Sequence, residues 1–351
     1  MDNVRVENVE RLTEGQRADV LALVAAASHM DGVAPLSEQV LLAMGSGAPA
    51  GSDVHLPTAT ADWPHFLAYA GGRLSGYAHL GRGVASEAGV AATAEVVVDP
   101  ARRRQGVGTA LVRTLEAALG SDVAPGAGTL RLWSHGHLDG ARAFAARDGY
   151  TSVRELWAMR RSLRSDADPL PAVSLPEGFK TRHFVIGQDE DAWLRVNARA
   201  FVDHPEQGRL TRHDLDRRIA EPWFDARGFI LIEDVRGLVP VLAASHWTKV
   251  EPAQIVAATQ PDVAPGGSSG TGQKQGEVYV VGVDPAYQGL GLGRAVTILG
   301  LAHLRERGLS EAMLYVEADN RAAVATYSRL GFARFAADVM YSPAVHPPVP
   351  E

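Results

Sequence analysis

The sequence contains no cysteine, and this absence removes several classes of function at once. Without thiols the chain forms no disulfide, binds no metal through cysteine and has no thiol nucleophile. We expect no bound metal.

The sequence also lacks a long apolar run and an excess of positive charge. Its apolar runs stay far below the ~18 residues of a membrane span. Residues 1–10 carry charges where a signal peptide needs an apolar centre. The formal net charge of −7 argues against nucleic acid as the main partner. These absences predict a cytoplasmic protein with neither nucleic acid nor a membrane as partner.

The most informative stretch that is present is residues 280–294, which read Val-Val-Gly-Val-Asp-Pro-Ala-Tyr-Gln-Gly-Leu-Gly-Leu-Gly-Arg. An apolar strand precedes a proline turn, a loop with glycine at every second position, and a helical pattern over residues 295–307. Such a loop exposes backbone N–H groups at the positive end of a helix, so it predicts a phosphate or pyrophosphate site. A plain glycine-rich connection remains an open alternative.

The spacing of the glycines excludes two other phosphate loops. A P-loop needs a lysine after its last glycine, and a dinucleotide-binding fingerprint needs Gly-x-Gly-x-x-Gly, whereas Gly289, Gly291 and Gly293 alternate. The remaining pattern, Gln-x-x-Gly-x-Gly over residues 288–293, resembles the acetyl-CoA pyrophosphate loop of the GNAT acyltransferase superfamily. Residues 314–332 extend the resemblance with a strand, an Asn at a helix start, a Tyr on that helix and a closing Gly-Phe.

The same succession of strand, proline turn, glycine loop and helix occurs earlier, at residues 94–119. Asp99 stands 185 positions before Asp284, and Gly149 stands 182 positions before Gly331. The chain is therefore a tandem duplication of one unit. The predicted fold class is α/β (α+β), with two tandem GNAT folds, each a mixed, mostly antiparallel sheet flanked by helices.

The duplication divides the 351 residues into two domains of ordinary size. We predict an N-terminal GNAT domain over 1–165, a linker rich in Pro, Asp and Ser over 166–176, and a C-terminal catalytic GNAT domain over 177–351. Residues 251–276 have the composition of a loop and insert between two strands that belong side by side.

Acyl transfer from a thioester to an amine needs a base for the amine and an acid for the leaving thiolate. Glu277 lies at the start of the strand that leads into the second glycine loop. Its carboxylate can accept a proton directly or through a water. Tyr327 lies on the helix after Asn320, where a phenol can protonate the thiolate. A solvated carboxylate and a packed tyrosine are the open alternatives.

The two repeats provide an internal control on these two residues. Ala92 stands 185 positions before Glu277, and Ala145 stands 182 positions before Tyr327, so the first repeat lacks both groups. We therefore predict that the second repeat is catalytic and that the first binds CoA or acts as a scaffold. The run of arginines at 102–104 can equally be a solvated basic face. If the first repeat holds CoA, the residues involved are Val96, Val97, Val98, Arg104, Gln105, Gly106, Val107, Gly108 and Thr109.

Four motifs, together with the tandem architecture, resemble the mycothiol synthase family. They are His-Pro-Glu-Gln-Gly at 204–208, Pro-Trp-Phe-Asp at 222–225, His-Trp-Thr-Lys at 246–249 and the strand at 276–285. The resemblance covers nearly the whole chain and is looser in the first half. It implies an actinobacterial enzyme that acetylates the cysteinyl amine of cysteinyl-glucosaminyl-inositol with acetyl-CoA, the last step of mycothiol formation.

The same resemblance implies a set of contacts. Carboxylates suit an ammonium and sugar hydroxyls, and lysine suits hydroxyl or carbonyl oxygens. For Glu38, a solvated helix residue is the open alternative. The implied substrate contacts are Glu38, Glu206, Lys249, Glu277 and Tyr315. The implied acetyl-CoA contacts are Val281, Gly282, Val283, Gln288, Gly289, Leu290, Gly291, Leu292, Gly293, Arg294, Asn320, Arg321, Ala322, Ala323, Val324 and Ala325.

Two other functions stay open on the sequence. One is acetylation of a different small-molecule amine or a peptide within the same tandem frame. The other is a non-catalytic CoA-binding sensor, which the first repeat alone would suggest, although Glu277 and Tyr327 argue against it. We expect a monomer that acts on a small molecule.

Overall fold

The computed structural model describes residues 4–45, 64–81, 85–86, 89–119, 127–164, 169–202, 205–250 and 275–344. The chain divides into two compact units, one of residues 1–156 with 336–351 and one of residues 157–335. This division differs from the sequence repeats at both ends of the second unit. The linker predicted at 166–176 stays a prediction.

The first unit is a mixed sheet with helices on it. Its elements are β1 (Arg5–Val9), α1 (Glu14–Asp31), α2 (Glu38–Gly45), β2 (His65–Ala70), β3 (Arg73–Gly81), β4 (Ala85–Ser86), β5 (Gly89–Val98), α3 (Val107–Ala118), β6 (Ala127–Ser134), α4 (Asp139–Arg147), the beginning of β7 (Tyr150–Ser162) and most of β13 (Ala333–Pro343). The strand order in this unit is β1-β2-β3-β5-β6-β13, with β4 beside β5. β5 and β6 run parallel, whereas β1, β2, β3 and β5 pair antiparallel in succession.

The strand that completes the first unit comes from the far end of the chain. β13 pairs antiparallel with β6, so that Val339 lies opposite Ser134 and Tyr341 lies opposite Leu132. Just after this strand, the Ala344 N–H donates to the Gly149 carbonyl at 2.8 Å. By sequence alone this strand belongs to the second repeat, so its place in the first unit is a result of the tertiary structure.

The second unit has the same kind of sheet. Its elements are β8 (Phe179–His183), α5 (Glu190–Ala200), α6 (Pro205–Gly208), α7 (Arg212–Ile219), β9 (Phe229–Asp234), β10 (Val241–Lys249), β11 (Gln275–Val283), α8 (Leu292–Glu306), β12 (Glu311–Glu317) and α9 (Arg321–Arg329). The strand order is β12-β11-β10-β9-β8, and β11 and β12 form the parallel pair. The predicted mixed, mostly antiparallel sheet flanked by helices is therefore confirmed in both units.

Helix α8 packs against the apolar face of the second sheet. Its buried side chains recur at helical spacing, with Leu292, Val296 and Ile298 followed by Leu301 and Leu304. They pack against the apolar face of the sheet in two clusters of buried residues. The helix begins before the predicted start at residue 295, because the loop glycines already place the backbone at the helix entrance.

The insertion predicted at 251–276 falls mostly outside the described residues. Its last two positions are an exception, because Gln275 and Gly276 are the first residues of β11 rather than part of a loop. A side chain at Gly276 would meet Leu304 and Leu309 at 2.6 Å, so this position is inside the core. In the part of the chain that the structure describes, no helix is long and apolar enough to cross a membrane.

Candidate active site

The glycine loop of the second unit is a short bridge between β11 and α8. Asp284 opens it by accepting a hydrogen bond from the Ala286 N–H at 2.9 Å, and Arg199 lies 3.0 Å from the same carboxylate. Gly289 and Gly291 have φ angles of 80° and 77°, in the left-handed region that favours glycine. The loop is thus held in a shape that directs the backbone into the helix.

The end of this loop has the properties of an anion site. Gly291 is the N-cap residue of α8, and no side chain caps the helix there. The first N–H groups of a helix have no partner within the helix and carry its positive end. A Cβ added at Gly289 or Gly291 would meet nothing within 4 Å, so open space lies beside both residues. Backbone donors next to open space fit a pyrophosphate.

A β-bulge distorts β11 shortly before the loop. Trp247 of β10 pairs with Val280, but the next residue, Thr248, pairs with Val278. The register thus advances by two residues on β11 for one on β10, and Tyr279 is the extra residue. Such a bulge bends its strand and increases the local twist.

Beyond the bulge, β11 and β12 separate. Within the described residues, their parallel pairing ends where Val278 meets Leu314, although the strands continue to Val283 and Glu317. Residues 281–283 therefore offer backbone N–H and C=O groups along the edge that faces the gap. An extended, amide-containing chain can bind along such an edge as an added strand would. The gap leads to the loop at α8, so one elongated ligand can use both.

The structure brings three of the predicted substrate residues onto one face of the second sheet. Glu277 pairs with Lys249 on one side and with Met313 on the other. Tyr315, two residues after Met313, lies on the same face and is 44% exposed. The opposite face packs on α8 through Val278 and its neighbours. Base candidate, ammonium and phenol thus lie on three adjacent strands beside the gap.

Lys249 is buried, with 8% of its surface exposed, and aromatic rings surround its ammonium. Its Nζ lies 5.1 Å from the centre of the Trp223 ring and 5.5 Å from that of Tyr279. The two rings are 5.2 Å apart in an edge-on arrangement. Both distances are within the range of cation–π attraction. The rings therefore stabilise a positive charge that burial would otherwise disfavour.

The Tyr279 ring is itself held by an arginine. Arg218 of α7 donates from Nε to the Tyr279 hydroxyl at 2.8 Å and from Nη1 to the Asp214 carbonyl at 3.0 Å. Trp247 packs on the same tyrosine, with ring centres 5.2 Å apart. Hydrogen bond and packing together orient the ring that faces Lys249.

Tyr327, the predicted acid, lies on the helix α9. The Asn320 side chain caps this helix by accepting a hydrogen bond from the Ala323 N–H at 3.0 Å. The Tyr327 ring is half-buried and meets Phe332 edge-on at 5.8 Å. Burial raises the pKa of its hydroxyl to about 12. The phenol therefore stays protonated near neutral pH and has a proton to donate.

The first unit keeps the loop geometry, but its strand before the loop pairs differently with its neighbours. Gly106, like Gly291, begins its helix with a left-handed φ angle, 87°. However, residues 76–81 pair with residues 93–98 without any register shift, and the ladder between β5 and β6 runs on to Glu95 and Trp133. The strand equivalent to β11 thus has no bulge at the position of Tyr279, and its parallel pairing extends to Glu95, the counterpart of Val280. Among the described pairs, residues 96–98 lie beyond the ladder with β6, as residues 281–283 lie beyond the ladder with β12.

The first loop has Arg103 and Arg104 where the second has Gln288 and Gly289. Arg103 binds Asp31 through both Nη atoms, at 2.7 and 2.6 Å, and donates from Nε to the Val98 carbonyl at 3.4 Å. Arg104 has a left-handed φ of 63° where the second loop has Gly289. Ala92 and Ala145 are buried in the apolar core. The arginine run at 102–104 is thus partly structural, because Arg103 links Asp31 to the end of β5.

Glu38, the predicted substrate contact of the first unit, begins α2. The residue before it is fixed by Glu95, which accepts hydrogen bonds from the Ser37 N–H and hydroxyl, both at 2.6 Å. His135 lies between Glu95, at 3.4 Å, and Asp338, at 2.9 Å. Burial lowers the pKa of His135, but the hydrogen bonds and charges of its two carboxylates outweigh burial and raise it to about 10.

Glu206 belongs to the short helix α6, and its side chain lies outside the described residues. The helix itself is held by two reciprocal hydrogen bonds. Asn197 donates to the Gln207 carbonyl at 2.6 Å, and the Gln207 side chain donates to Asn197 Oδ1 at 2.9 Å. The role of Glu206 stays a prediction.

Sequence reasoning missed Trp223, Tyr279 and Arg218 as parts of the site. Trp223 lies in the Pro-Trp-Phe-Asp motif at 222–225, which served only to carry the family resemblance. Tyr279 lies two residues after Glu277, but its importance depends on a bulge that no local pattern indicates. Arg218 reaches the site from α7, 61 positions away in sequence from its partner.

Comparison with known proteins identifies the family of both repeats. Residues 45–150 and 212–332 match the Acetyltransferase (GNAT) family, one match in each repeat. The chain is 46% identical over 347 residues to a mycothiol acetyltransferase of Thermomonospora curvata, covering 99% of this chain and 100% of the relative.

Two solved structures share the fold over nearly the full length. A GCN5-related N-acetyltransferase from Sphaerobacter thermophilus has a TM-score of 0.64 and 21% identity, covering 98% of this chain and 97% of that one. A tandem GNAT protein from the clavulanic acid biosynthesis pathway has a TM-score of 0.65 and 19% identity, covering 98% and 99%. At these identities the likeness concerns the fold alone.

Proposed function

The chain belongs to the mycothiol acetyltransferases of the GNAT family, and we infer that it is an N-acetyltransferase that uses acetyl-CoA. Its reaction is transfer of the acetyl group to the cysteinyl amine of cysteinyl-glucosaminyl-inositol. The observation that carries this conclusion is the shared face of Glu277, Lys249 and Tyr315 beside the gap between β11 and β12. A carboxylate, an ammonium and a phenol there suit an amine that carries hydroxyl and carbonyl groups.

The residues of the second unit fit acetyl-CoA in two places. The edge of β11 at 281–283 suits the amide-containing arm, because the separation from β12 leaves its backbone groups facing the gap. The helix start at 291–294 suits the pyrophosphate. Bound acetyl-CoA supplies a thioester whose acetyl group is activated toward an amine. Residues 288–294 and the start of α9 at 320–325 complete the proposed contacts.

Glu277 acts as the base in this proposal. It takes a proton from the substrate amine, directly or through a water, so that the nitrogen lone pair can attack the acetyl carbonyl. The adjacent ammonium of Lys249 disfavours a second positive charge nearby, which helps the amine to lose its proton. Tyr327 gives a proton to the departing sulfur. The products are the N-acetyl amide and the free thiol of CoA.

The remaining proposed contacts are Glu38, Glu206 and Tyr315, which suit sugar and inositol hydroxyls. For the first unit we propose a scaffold rather than a second CoA site. The hydrogen bond from Arg103 to the Val98 carbonyl supports this choice, because it engages a backbone group at the end of the strand before the loop.

The decisive experiment is a steady-state assay of CoA release with synthetic cysteinyl-glucosaminyl-inositol. We expect turnover that depends on both substrates and an N-acetylated cysteine product by mass spectrometry. Glucosaminyl-inositol, which lacks the cysteine, is the matched control and should not react. Equal turnover of unrelated amines would show a broader acetyltransferase, and the absence of CoA release with every amine would favour a sensor.

A further inference from the structure

The arrangement around Lys249 has a consequence for how the amine substrate is recognised. We propose that Trp223, Tyr279 and Arg218 are positioning residues that hold the Lys249 ammonium beside Glu277, where it binds an oxygen of the amine substrate. The bulge beside the proposed acetyl-CoA gap is then also part of the substrate site. This inference rests on the proposed function and adds residues to it.

The positive charge of Lys249 is buried. Lys249 is 8% exposed, Trp223 is 5% exposed, and the ammonium lies 5.1 Å from the indole centre. A lysine normally keeps its ammonium in water, so a buried one needs compensation. The faces of two aromatic rings supply it and fix where the charge stands.

Tyr279 is placed beside Lys249 by the bulge. Because Tyr279 is the extra residue of the bulge, its ring is turned relative to a regular strand and lies 5.5 Å from the Lys249 Nζ. Arg218 fixes the hydroxyl at 2.8 Å. A regular β11 would lose this ring position.

Glu277 is the neighbour of Lys249 on the adjacent strand. Glu277 pairs directly with Lys249 across the antiparallel ladder, and such pairs have Cβ atoms roughly 4.5–5.5 Å apart. An amine that approaches Glu277 therefore brings its adjacent carbonyl or hydroxyl oxygen within reach of Lys249. The chemistry of the pair selects an amine with a neutral oxygen acceptor close to the nitrogen.

The first unit shows the contrast within the same molecule. Ala94 stands 185 positions before Tyr279, and β5 runs past it without a register shift. No bulge and no aromatic ring exist at that point of the described part of the first unit. Ring and bulge thus occur together in the unit that carries Glu277 and are both missing at the equivalent position of the first unit.

The test is a double-mutant cycle on binding, which does not depend on turnover. Calorimetry measures the Kd of cysteinyl-glucosaminyl-inositol in the presence of CoA for wild type, Trp223→Leu, Lys249→Met and the double variant. We expect Trp223→Leu to weaken amine binding by about 3- to 30-fold while the Kd of acetyl-CoA changes less than about twofold. In the Lys249→Met background the same change should add less than about twofold. An equal loss in both backgrounds would overturn the proposal, because the tryptophan would then act independently of the lysine.

Substitutions of Tyr279 provide a second, milder measurement. Tyr279→Phe keeps the ring and loses the Arg218 hydrogen bond, whereas Tyr279→Leu loses both. We expect the Michaelis constant for the amine to rise more in Tyr279→Leu than in Tyr279→Phe, with the constant for acetyl-CoA little changed. Phe335→Leu is the control, since it removes a ring that lies 5.0 Å from Arg160 elsewhere in the same unit. If Phe335→Leu raises the Michaelis constant for the amine equally, the effect is a general loss of packing.

The two proposals fail in different ways. Suppose that the wild type transfers no acetyl group but binds the amine normally, and that the double-mutant cycle shows coupling between Trp223 and Lys249. This result would refute the proposed reaction and keep the positioning of Lys249. Normal acetyl transfer with an uncoupled cycle would refute the positioning alone. Absence of both binding and transfer would overturn both. Thermal melting of each variant identifies any that has lost its fold, and for such a variant Tyr279→Phe and Trp223→Phe replace the larger changes in the same cycle.

Discussion

The two units of the chain share a glycine loop with nearly the same backbone but differ in the strand that leads into it. Gly106 and Gly291 both begin a helix with a left-handed φ angle, 87° and 77°. Residues 93–98 of β5 pair with β3 without a register shift, whereas β11 of the second unit contains the bulge at Tyr279. The loop by itself therefore does not distinguish the two units. The strand before it does, because the bulge of β11 accompanies an aromatic ring beside Lys249.

The largest expected effect comes from Glu277, which the first unit replaces with Ala92. Glu277→Gln should lower the catalytic rate by roughly 100-fold or more, in the range of a general base. The affinity for acetyl-CoA, measured by calorimetry, should stay near wild type. Glu311→Gln changes a carboxylate on the neighbouring strand and should leave the rate unchanged. Full turnover by Glu277→Gln would remove this residue from the mechanism.

The two loops permit a matched pair of substitutions. Gly291→Val and Gly106→Val each force a branched side chain into a left-handed backbone, so their costs in stability should be similar. Only Gly291→Val should weaken acetyl-CoA binding, by roughly 10-fold or more, because it displaces the backbone donors of the pyrophosphate site. Equal losses of affinity in the two folded variants would contradict the assignment of the active unit.

Tyr327 has Ala145 as its counterpart in the first unit. Tyr327→Phe should slow the chemical step by roughly 10-fold or more, since the leaving sulfur then takes its proton from water. Because burial raises the pKa of the hydroxyl to about 12, this group should cause no fall in rate between pH 7 and 10. The catalytic rates of wild type and Tyr327→Phe are measured at each pH. The ratio of the two rates should stay constant in that window. A ratio that changes near pH 8 would point to another acid.

The first unit carries an ionic cluster of its own, which pH should reveal. The pKa of His135 is about 10 in the folded protein, above its unfolded value of about 6.5. The protonated histidine thus contributes stability that is fully present below about pH 6.5 and is lost as the pH rises through about 10. The free energy of unfolding of the wild type, measured in urea, should fall over that window. His135→Gln should flatten the curve of this free energy against pH. The exposed His29, changed to Gln, is the control and should leave the slope intact.

The smallest effect concerns the loop strain. Arg104 of the first loop has the left-handed conformation that glycine has at Gly289. Arg104→Gly should raise the free energy of unfolding by roughly 0.5–1 kcal/mol, because relief of strain exceeds the entropy that glycine adds to the unfolded chain. Gly289→Ala should lower it by a similar amount. Denaturant midpoints measure both, and a loss of stability in Arg104→Gly would show that its guanidinium contacts outweigh the strain.

Much of the candidate site could be predicted because its signals are local. The glycine loop is recognisable from consecutive residues, and Glu277 and Tyr327 stand at fixed distances from it. Ala92 and Ala145 then predict which repeat is active without any other protein. Glu38 and Glu206 could be named only by resemblance, since a single carboxylate on a helix carries no chemical signature. Their roles stay predictions.

The remainder depended on contacts between segments distant in the chain. The bulge at Tyr279 exists only in relation to the register of β10, and Arg218 meets the tyrosine across the fold. Trp223 becomes meaningful only when Lys249 lies over its ring. None of these relations has a period or spacing that sequence reasoning can use.

By itself the sequence determined that the chain is duplicated, that each repeat ends a strand in a glycine loop, and that one repeat alone has a carboxylate at Glu277 and a phenol at Tyr327. These properties follow from composition, periodicity and offset, which are written along the chain. The tertiary structure alone decided that β13 completes the first sheet, that β11 and β12 separate, and that two rings surround Lys249. The physical reason is that strand pairing and ring packing are chosen by the total burial and hydrogen bonding of the fold, which no short segment specifies.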